Sequence, residues 1–243
     1  MKEKKTASPV KVIFEREMAA YFSSPIAYIV TSAFLILTGI FFFSTFFLNN
    51  RADLRGFFGL LPVFFAFLIP AITMRSFSEE TRSGSFETLM TLPVTSMDVV
   101  LGKFLSAWCQ SCCLLLPSLV YLITAVIFGN PDFGPVIGGY IGAVFLASSF
   151  TAIGLFSSSI TKNQIIALFV GIIICLFLGW ILDVFMVLLP AGLVSVLQFF
   201  SAGQHFSSIS RGILDSRDLL YFVSITVLFF SMTVNAVTSR RAA

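Results

Sequence analysis

Long apolar runs, continuous rather than alternating, set the pattern of this chain. Six of them lie near residues 26–48, 57–74, 98–128, 136–160, 164–182 and 219–238. Runs of about 18 or more apolar residues read as membrane-crossing helices. Their continuity argues against a transmembrane barrel, whose strands alternate. The pattern predicts an all-α polytopic membrane protein, with six transmembrane helices in a single domain over 1–243. The third run is long enough to project from the bilayer, and Pro117 is placed to kink it. Gly129 to Pro135 is a dense turn signal between the third and fourth runs.

The polar stretches have their own periodicities. Val10, Phe14, Met18 and Tyr21 recur at helical spacing, with Lys11, Glu15 and Arg16 elsewhere on the wheel. This predicts an interfacial helix over 9–22, either anchoring the first span or meeting a partner. Ser24 and Pro25 turn the chain into the membrane. Pro190, Ala191 and Gly192 interrupt the apolar residues after 182. Residues 183–218 therefore read as re-entrant or interfacial short helices on the outer side, tolerated only where protein or a cavity shields the backbone.

The longest polar interruption, 79–98, carries the most information. Glu79, Glu80 and Arg82 extend the second span, and Gly84 permits a reversal. Ser85 to Leu92 gives about two helical turns, with Phe86, Leu89 and Met90 on one side and Glu87, Thr88 and Thr91 away from them. Pro93 ends the helix. Thr95 and Asp98 form a capping box that starts the third span. The product is a short amphipathic helix tied to two spans. On spacing alone it is either a contact for a partner or a loop covering apolar surface.

Composition agrees: the 243 residues are 57% hydrophobic and 11% charged, with 30 Phe and a mean hydropathy of +0.97. Little room remains for a soluble domain. The basic N-terminus lacks the apolar stretch and small-residue site of a cleavable signal. Charge placement gives orientation. With the N-terminus cytoplasmic, only Arg51, Arg55, Arg211 and Arg217 of the 15 Lys and Arg fall outside. The other eleven are cytoplasmic, as the positive-inside rule requires. Both termini and residues 75–98 then face the cytoplasm.

Candidate chemistry is sparse. Cys109, Cys112 and Cys113 have no His or Met cluster beside them and read as small buried residues rather than a soft-metal site. Gly134, Gly138 and Gly142 allow close helix packing, within one subunit or at a dimer contact. Asp183 and Lys103 sit at span boundaries, where both can snorkel to water. His205 reads as a surface or interface residue. No His-Glu-x-x-His or Gly-x-Ser-x-Gly motif is present. A phosphate-binding loop is also missing: Gly102 and Lys103 lack the upstream glycine and the following hydroxyl residue. The chain reads as a non-enzyme.

The stretch from Pro70 to Lys103, with Arg75, Glu79, Glu80, Gly84, Glu87, Pro93 and Gly102 in place, resembles the permease subunits of ABC-2 type transporters. It is most similar to their gliding-motility-associated branch and its relative in copper-enzyme maturation. Glu15 to Glu17 with Tyr21 to Tyr28, and His205–Phe206 with Ser210 to Asp218, extend the resemblance over nearly the whole chain. The resemblance implies a permease half in a bacterial cytoplasmic (inner) membrane, paired with an identical or homologous half. It makes 9–22 the elbow helix, 79–98 the coupling segment and 183–218 the outer cap. Glu79, Glu80, Arg82, Gly84, Ser85, Phe86, Glu87, Thr88, Leu89, Met90, Leu92 and Pro93 would meet a separate ATP-binding subunit. ATP and Mg would be bound there, with no cofactor in this chain and no nucleic acid. Two functions remain open within the family: movement of an unknown substrate, or mechanotransmission to a large extracytoplasmic partner. A non-transporting membrane scaffold is the reading from another class.

Overall fold

The computed structural model describes residues 8–49, 53–85 and 94–242, and no strand occurs among them. In chain order the helices are α1 (Pro9–Ser23), α2 (Pro25–Asn49), α3 (Arg55–Thr73), α4 (Arg75–Ser83), α5 (Ser96–Cys113) and α6 (Leu119–Phe128). There follow α7 (Phe133–Ile160), α8 (Gln164–Leu176), a π-helical turn (Phe177–Ile181), α9 (Leu182–Leu188), α10 (Ala191–Phe200), α11 (Ala202–Ser210) and α12 (Ser216–Ala242). Five stretches are long and apolar enough to cross a membrane: Pro25–Phe47, Arg55–Ser83, Phe133–Ile160, Gln164–Leu188 and Ser216–Arg241.

The third expected span is not one continuous helix. It is α5 and α6, separated by turns at 114–118. There the N–H groups of Leu115, Leu116 and Ser118 bond to carbonyls three residues back, the tighter 3₁₀ pattern. Pro117 sits among them and supplies no N–H, so one rung of an α-helical ladder is missing there.

The apolar helical stretch at the fifth expected span runs on to Leu188. The π-turn inserts between α8 and α9 without ending the helix, so residues 183–188 continue the helical stretch that begins at Gln164. Pro190 then breaks the chain, and α10 and α11 are the expected pair of short helices. Asp183 is half-buried. It accepts a hydrogen bond from Ser201, which in turn caps α11 by accepting from the Gln204 N–H at 3.1 Å. His205 is likewise committed to structure. Its Nδ1 lies 2.6 Å from Asp218, its Nε2 lies 3.2 Å from the Phe199 carbonyl, and its ring stacks on Tyr221.

Helix α7 is the hub, packing on α3, α4, α5, α8, α11 and α12. Its small residues make this possible. A Cβ on Gly138 would run into the Ile209 carbonyl, and one on Gly142 would press on Phe206 and Ile209. Gly138 and Gly142 thus receive α11 of the same chain, whereas Gly134 has only ordinary contact with Asp132. Part of the phenylalanine excess fills one cluster, in which Phe34, Phe57, Phe58, Phe65 and Phe150 are fully buried. Tyr121 of α6 stacks on Phe42 and donates to the Leu35 carbonyl at 2.8 Å, which fastens α6 to α2. Other phenylalanines, such as Phe41, Phe47, Phe67 and Phe169, point outward, as lipid-facing positions allow.

Candidate functional site

The second candidate span does not end at Thr73. Helix α3 passes through Met74, still in the right-handed helical region, into the polar helix α4. The junction interrupts the backbone ladder, and Ser158 of α7 repairs it. The Ser158 hydroxyl accepts from the Phe77 and Ser78 N–H groups at 3.0 and 3.1 Å and donates to the Met74 carbonyl at 2.9 Å. Phe77, Ser78 and Ser158 are all fully buried. Ser158→Ala strands two buried donors, so it is expected to destabilise the fold by about 1–3 kcal/mol. Thermal unfolding in detergent checks this, with Ser157→Ala as the control, since Ser157 bonds only within its own helix.

Helix α4 ends where the sequence indicates. Gly84 has φ +75°, the left-handed conformation that favours glycine at a helix C-terminus. On the far side of the segment, the Thr95 hydroxyl accepts from the Asp98 N–H at 3.1 Å, and the Asp98 carboxylate accepts from the Thr95 N–H at 3.1 Å. The capping box is therefore complete. Of the predicted interface residues, Glu79, Glu80, Arg82, Gly84 and Ser85 are described. Phe86, Glu87, Thr88, Leu89, Met90, Leu92 and Pro93 lie outside the described residues. Glu79, Arg82, Gly84 and Ser85 are exposed, while Glu80 turns inward.

Glu80 turns inward because Lys103 lies behind it. Snorkelling is the sequence expectation for Lys103, but its side chain is 2% exposed. It is placed on α5 directly after Gly102, which lets α1 approach so closely that a Cβ there would strike Ile13. The ammonium donates to Glu17 at 3.0 Å, Glu80 at 2.8 Å and the Ser76 carbonyl at 2.8 Å. All three ammonium protons are thereby used. Phe77 supplies a ring face with its centroid 5.3 Å away. Arg16 closes the group from the outside, at 2.7 Å from Glu17 and 3.1 Å from Glu80.

This cluster joins α1, α4 and α5, three elements distant in sequence. It also corrects the reading of α1. The expected stripe of Val10, Phe14, Met18 and Tyr21 is only half-buried, and the face centres on Ile13 with Glu17 beside it. Burial alone would raise the Glu17 carboxyl. Lys103 and the Arg16 hydrogen bond more than offset it and hold the group below its ordinary value of 4.5.

The last helix adds two further ties. Arg240 donates to the Thr81 hydroxyl at 3.0 Å and Arg241 to the Val94 carbonyl at 3.1 Å. These two contacts fall on either side of residues 86–93. Sequence reasoning did not find this cluster. The available signal was three charges, Glu17, Glu80 and Lys103, each beside an apolar run and each in need of a partner.

The fold and site define a multi-pass helical membrane protein in which ion pairs around Lys103 join α1, α4 and α5. Residues 24–239 match the family model described as ABC-2 family transporter protein, so the chain belongs to that family. It is a membrane subunit of an ABC transporter, of the kind that works with an ATP-binding subunit. No curated protein matches the chain.

Proposed function

We propose that the chain is one half of an ABC permease that takes up motion from a separate ATP-binding subunit through residues 79–98. ATP and Mg belong to that partner, and a second permease half, identical or homologous, completes the membrane path. The chain sits in a bacterial inner membrane with both termini cytoplasmic and six crossings, α5 and α6 together forming the third. Its spacing and resemblance place the coupling helix at Gly84 to Pro93, with Glu79, Glu80 and Arg82 flanking it.

The single observation that carries this reading is the bracing of both arms of the segment. Thr81 and Glu80 are held on one arm, Val94 and Lys103 on the other. A push delivered between these points moves α1, α4, α5 and the end of α12 as one body, rather than flexing a loop. The other four continuous spans and the broken third then tilt around α7.

The test is retention of the ATP-binding subunit during purification. Gly84→Pro, which Pro's fixed negative φ makes incompatible with the turn, or Leu89→Asp should weaken association by roughly tenfold or more, about 1.4 kcal/mol. Both variants should still insert in the membrane. Undiminished association in both would remove the assigned interface.

Mechanotransmission is favoured as a second reading by one feature. Helix α12 is uninterrupted from Asp218, at the His205 clasp, to Arg240, at Thr81. A rod of this kind carries motion from the inner segment to the outer helices α10 and α11. Vesicles showing ATPase activity without flux of any cargo, together with an outer partner that co-purifies, would support it over transport.

A further inference from the structure

At the end of the bundle away from Lys103, a cavity of about 300 Å³ lies between α3, the π-turn and α11. Its floor is where three backbones meet. A Cβ on Gly179 would touch the Pro62 carbonyl, and one on Gly203 would run into the Gly179 carbonyl. The π-turn supplies Gly179 and Trp180, and such turns recur at functional sites. Trp180 and Phe206 give the lower wall its aromatic surface. The α3 wall is open at Gly59, where a Cβ would meet no atom within 4 Å.

Two exposed arginines line the same cavity, Arg55 of α3 and Arg211 at the end of α11. Packing on α7 fixes their heights. Phe58 faces Gly139 and Thr73 faces Gly154, so α3 runs parallel to α7 in constant register and Arg55 is level with Val136. Helix α11 runs the other way, with Phe206 at Gly142 and Gly212 at Gly138, so Arg211 is level with Gly138. Two residues along a helix are about 3 Å of height. Helices α3 and α11 also pack on each other, and packed helix axes stand roughly 8–10 Å apart. Two extended arginine side chains cover that gap with one phosphate between them. Arg211 Nε donates to the carbonyl of Ser207, itself a lining residue, at 3.1 Å, which folds the guanidinium over the cavity. Neither arginine makes an ion pair among the described residues, not even Arg55 with its neighbours Asp53 and Asp132. The one acid lining the cavity is Asp183, which accepts from Ser201. Two guanidiniums against one carboxylate leave a single positive charge.

We propose that this cavity holds one outer-leaflet phospholipid whose headgroup is a phosphodiester monoanion, as in phosphatidylglycerol. The phosphate accepts from both Arg55 and Arg211, whose planar forks suit its oxygens. The glycerol and upper chain descend past Gly59, Val63 and Trp180. A monoanion neutralises the surplus charge. An ethanolamine or choline headgroup brings its own cation and leaves the surplus standing, in a half-enclosed place where charges are weakly screened. The choice of leaflet rests on the membrane orientation proposed above, and nothing here rests on the coupling role.

The experiment is native mass spectrometry and thermal unfolding of the protein relipidated with defined phospholipids. Phosphatidylglycerol should be retained by roughly fivefold or more over phosphatidylethanolamine and phosphatidylcholine, and should raise the melting temperature. Arg55→Gln and Arg211→Gln should each remove most of that preference. Arg217→Gln, at an exposed arginine that does not line the cavity, should leave it intact. Gly59→Leu fills the open wall and should expel the lipid without lowering the melting temperature of the lipid-free protein. Equal retention of the lipids overturns the proposal, as does a loss in Arg217→Gln as large as in Arg55→Gln, which would show diffuse charge attraction. Soluble glycerophosphoglycerol that competes as well as the lipid also overturns it and assigns the arginines to a soluble phosphodiester. Retention of the ATP-binding subunit is read separately, so failure here does not touch the permease assignment.

Discussion

Lys103→Met is expected to be among the most damaging single substitutions in this protein, costing about 3–5 kcal/mol. Methionine fills the same space, so packing is nearly conserved. What is lost is the cation between Glu17 and Glu80, at 3.0 and 2.8 Å. The intact group holds two cations, Arg16 and Lys103, and two carboxylates. Removing Lys103 leaves a net negative charge in a place that water reaches poorly, and Arg16, half exposed at the surface, cannot neutralise both partners. The double variant Lys103→Met/Glu80→Gln restores neutrality with Arg16 and Glu17. It should recover at least half of the loss, and a merely steric role for Lys103 would give no recovery. Urea or thermal unfolding in detergent measures both.

The same cluster sets an acid limit. Glu17 titrates below its ordinary value of 4.5 in the folded protein. Its contribution is present above the unfolded value and is lost as pH falls through the folded one. Stability should therefore decline below about pH 4.5 and with a shallower slope in Lys103→Met, where the folded Glu17 no longer has its ammonium partner.

Gly138→Val is the second large effect, expected at about 3 kcal/mol or more because the obstacle is backbone. The added side chain meets the Ile209 carbonyl and Gly212, and neither can rotate away. Gly212 is itself held at φ +89°, so the turn after α11 has little freedom to yield. Helix α11 would lift off α7, and the Asp218–His205 clasp would be strained with it. Gly59→Ala is the matched control. Its position in α3 is open, with no atom within 4 Å, and helix propensity alone favours the change by roughly 0.5–1 kcal/mol. Comparison of melting temperatures, with trypsin sensitivity of residues 190–215, separates the two outcomes.

Much of the architecture is written in local patterns. Continuous apolar runs gave the membrane class, because a bilayer selects on length and hydropathy alone. Gly84 and the Thr95–Asp98 pair marked helix ends, because caps are settled within four residues. Pro117, read along the chain as a kink in a continuous span, lies among turns that separate two helices. That the helix continues past 182 was not legible because a π-turn leaves no mark on hydropathy, and the Gly138–Gly142 spacing does not name its partner, which is α11.

Charge pairing, in contrast, was not legible along the chain. The sequence by itself determined that Glu17, Glu80 and Lys103 each stand at the edge of an apolar run, where water or a partner must be found. Which of these they find depends on α1 crossing α5 at Gly102 and on α4 continuing past Met74 under the Ser158 hydroxyl. Those are contacts between segments 23 to 86 residues apart, and only the tertiary structure brings them together. A lone lysine at a boundary snorkels. The same lysine beneath two carboxylates is drawn in, because the attraction of both, with a carbonyl to take the third proton, exceeds what solvation at the surface offers it.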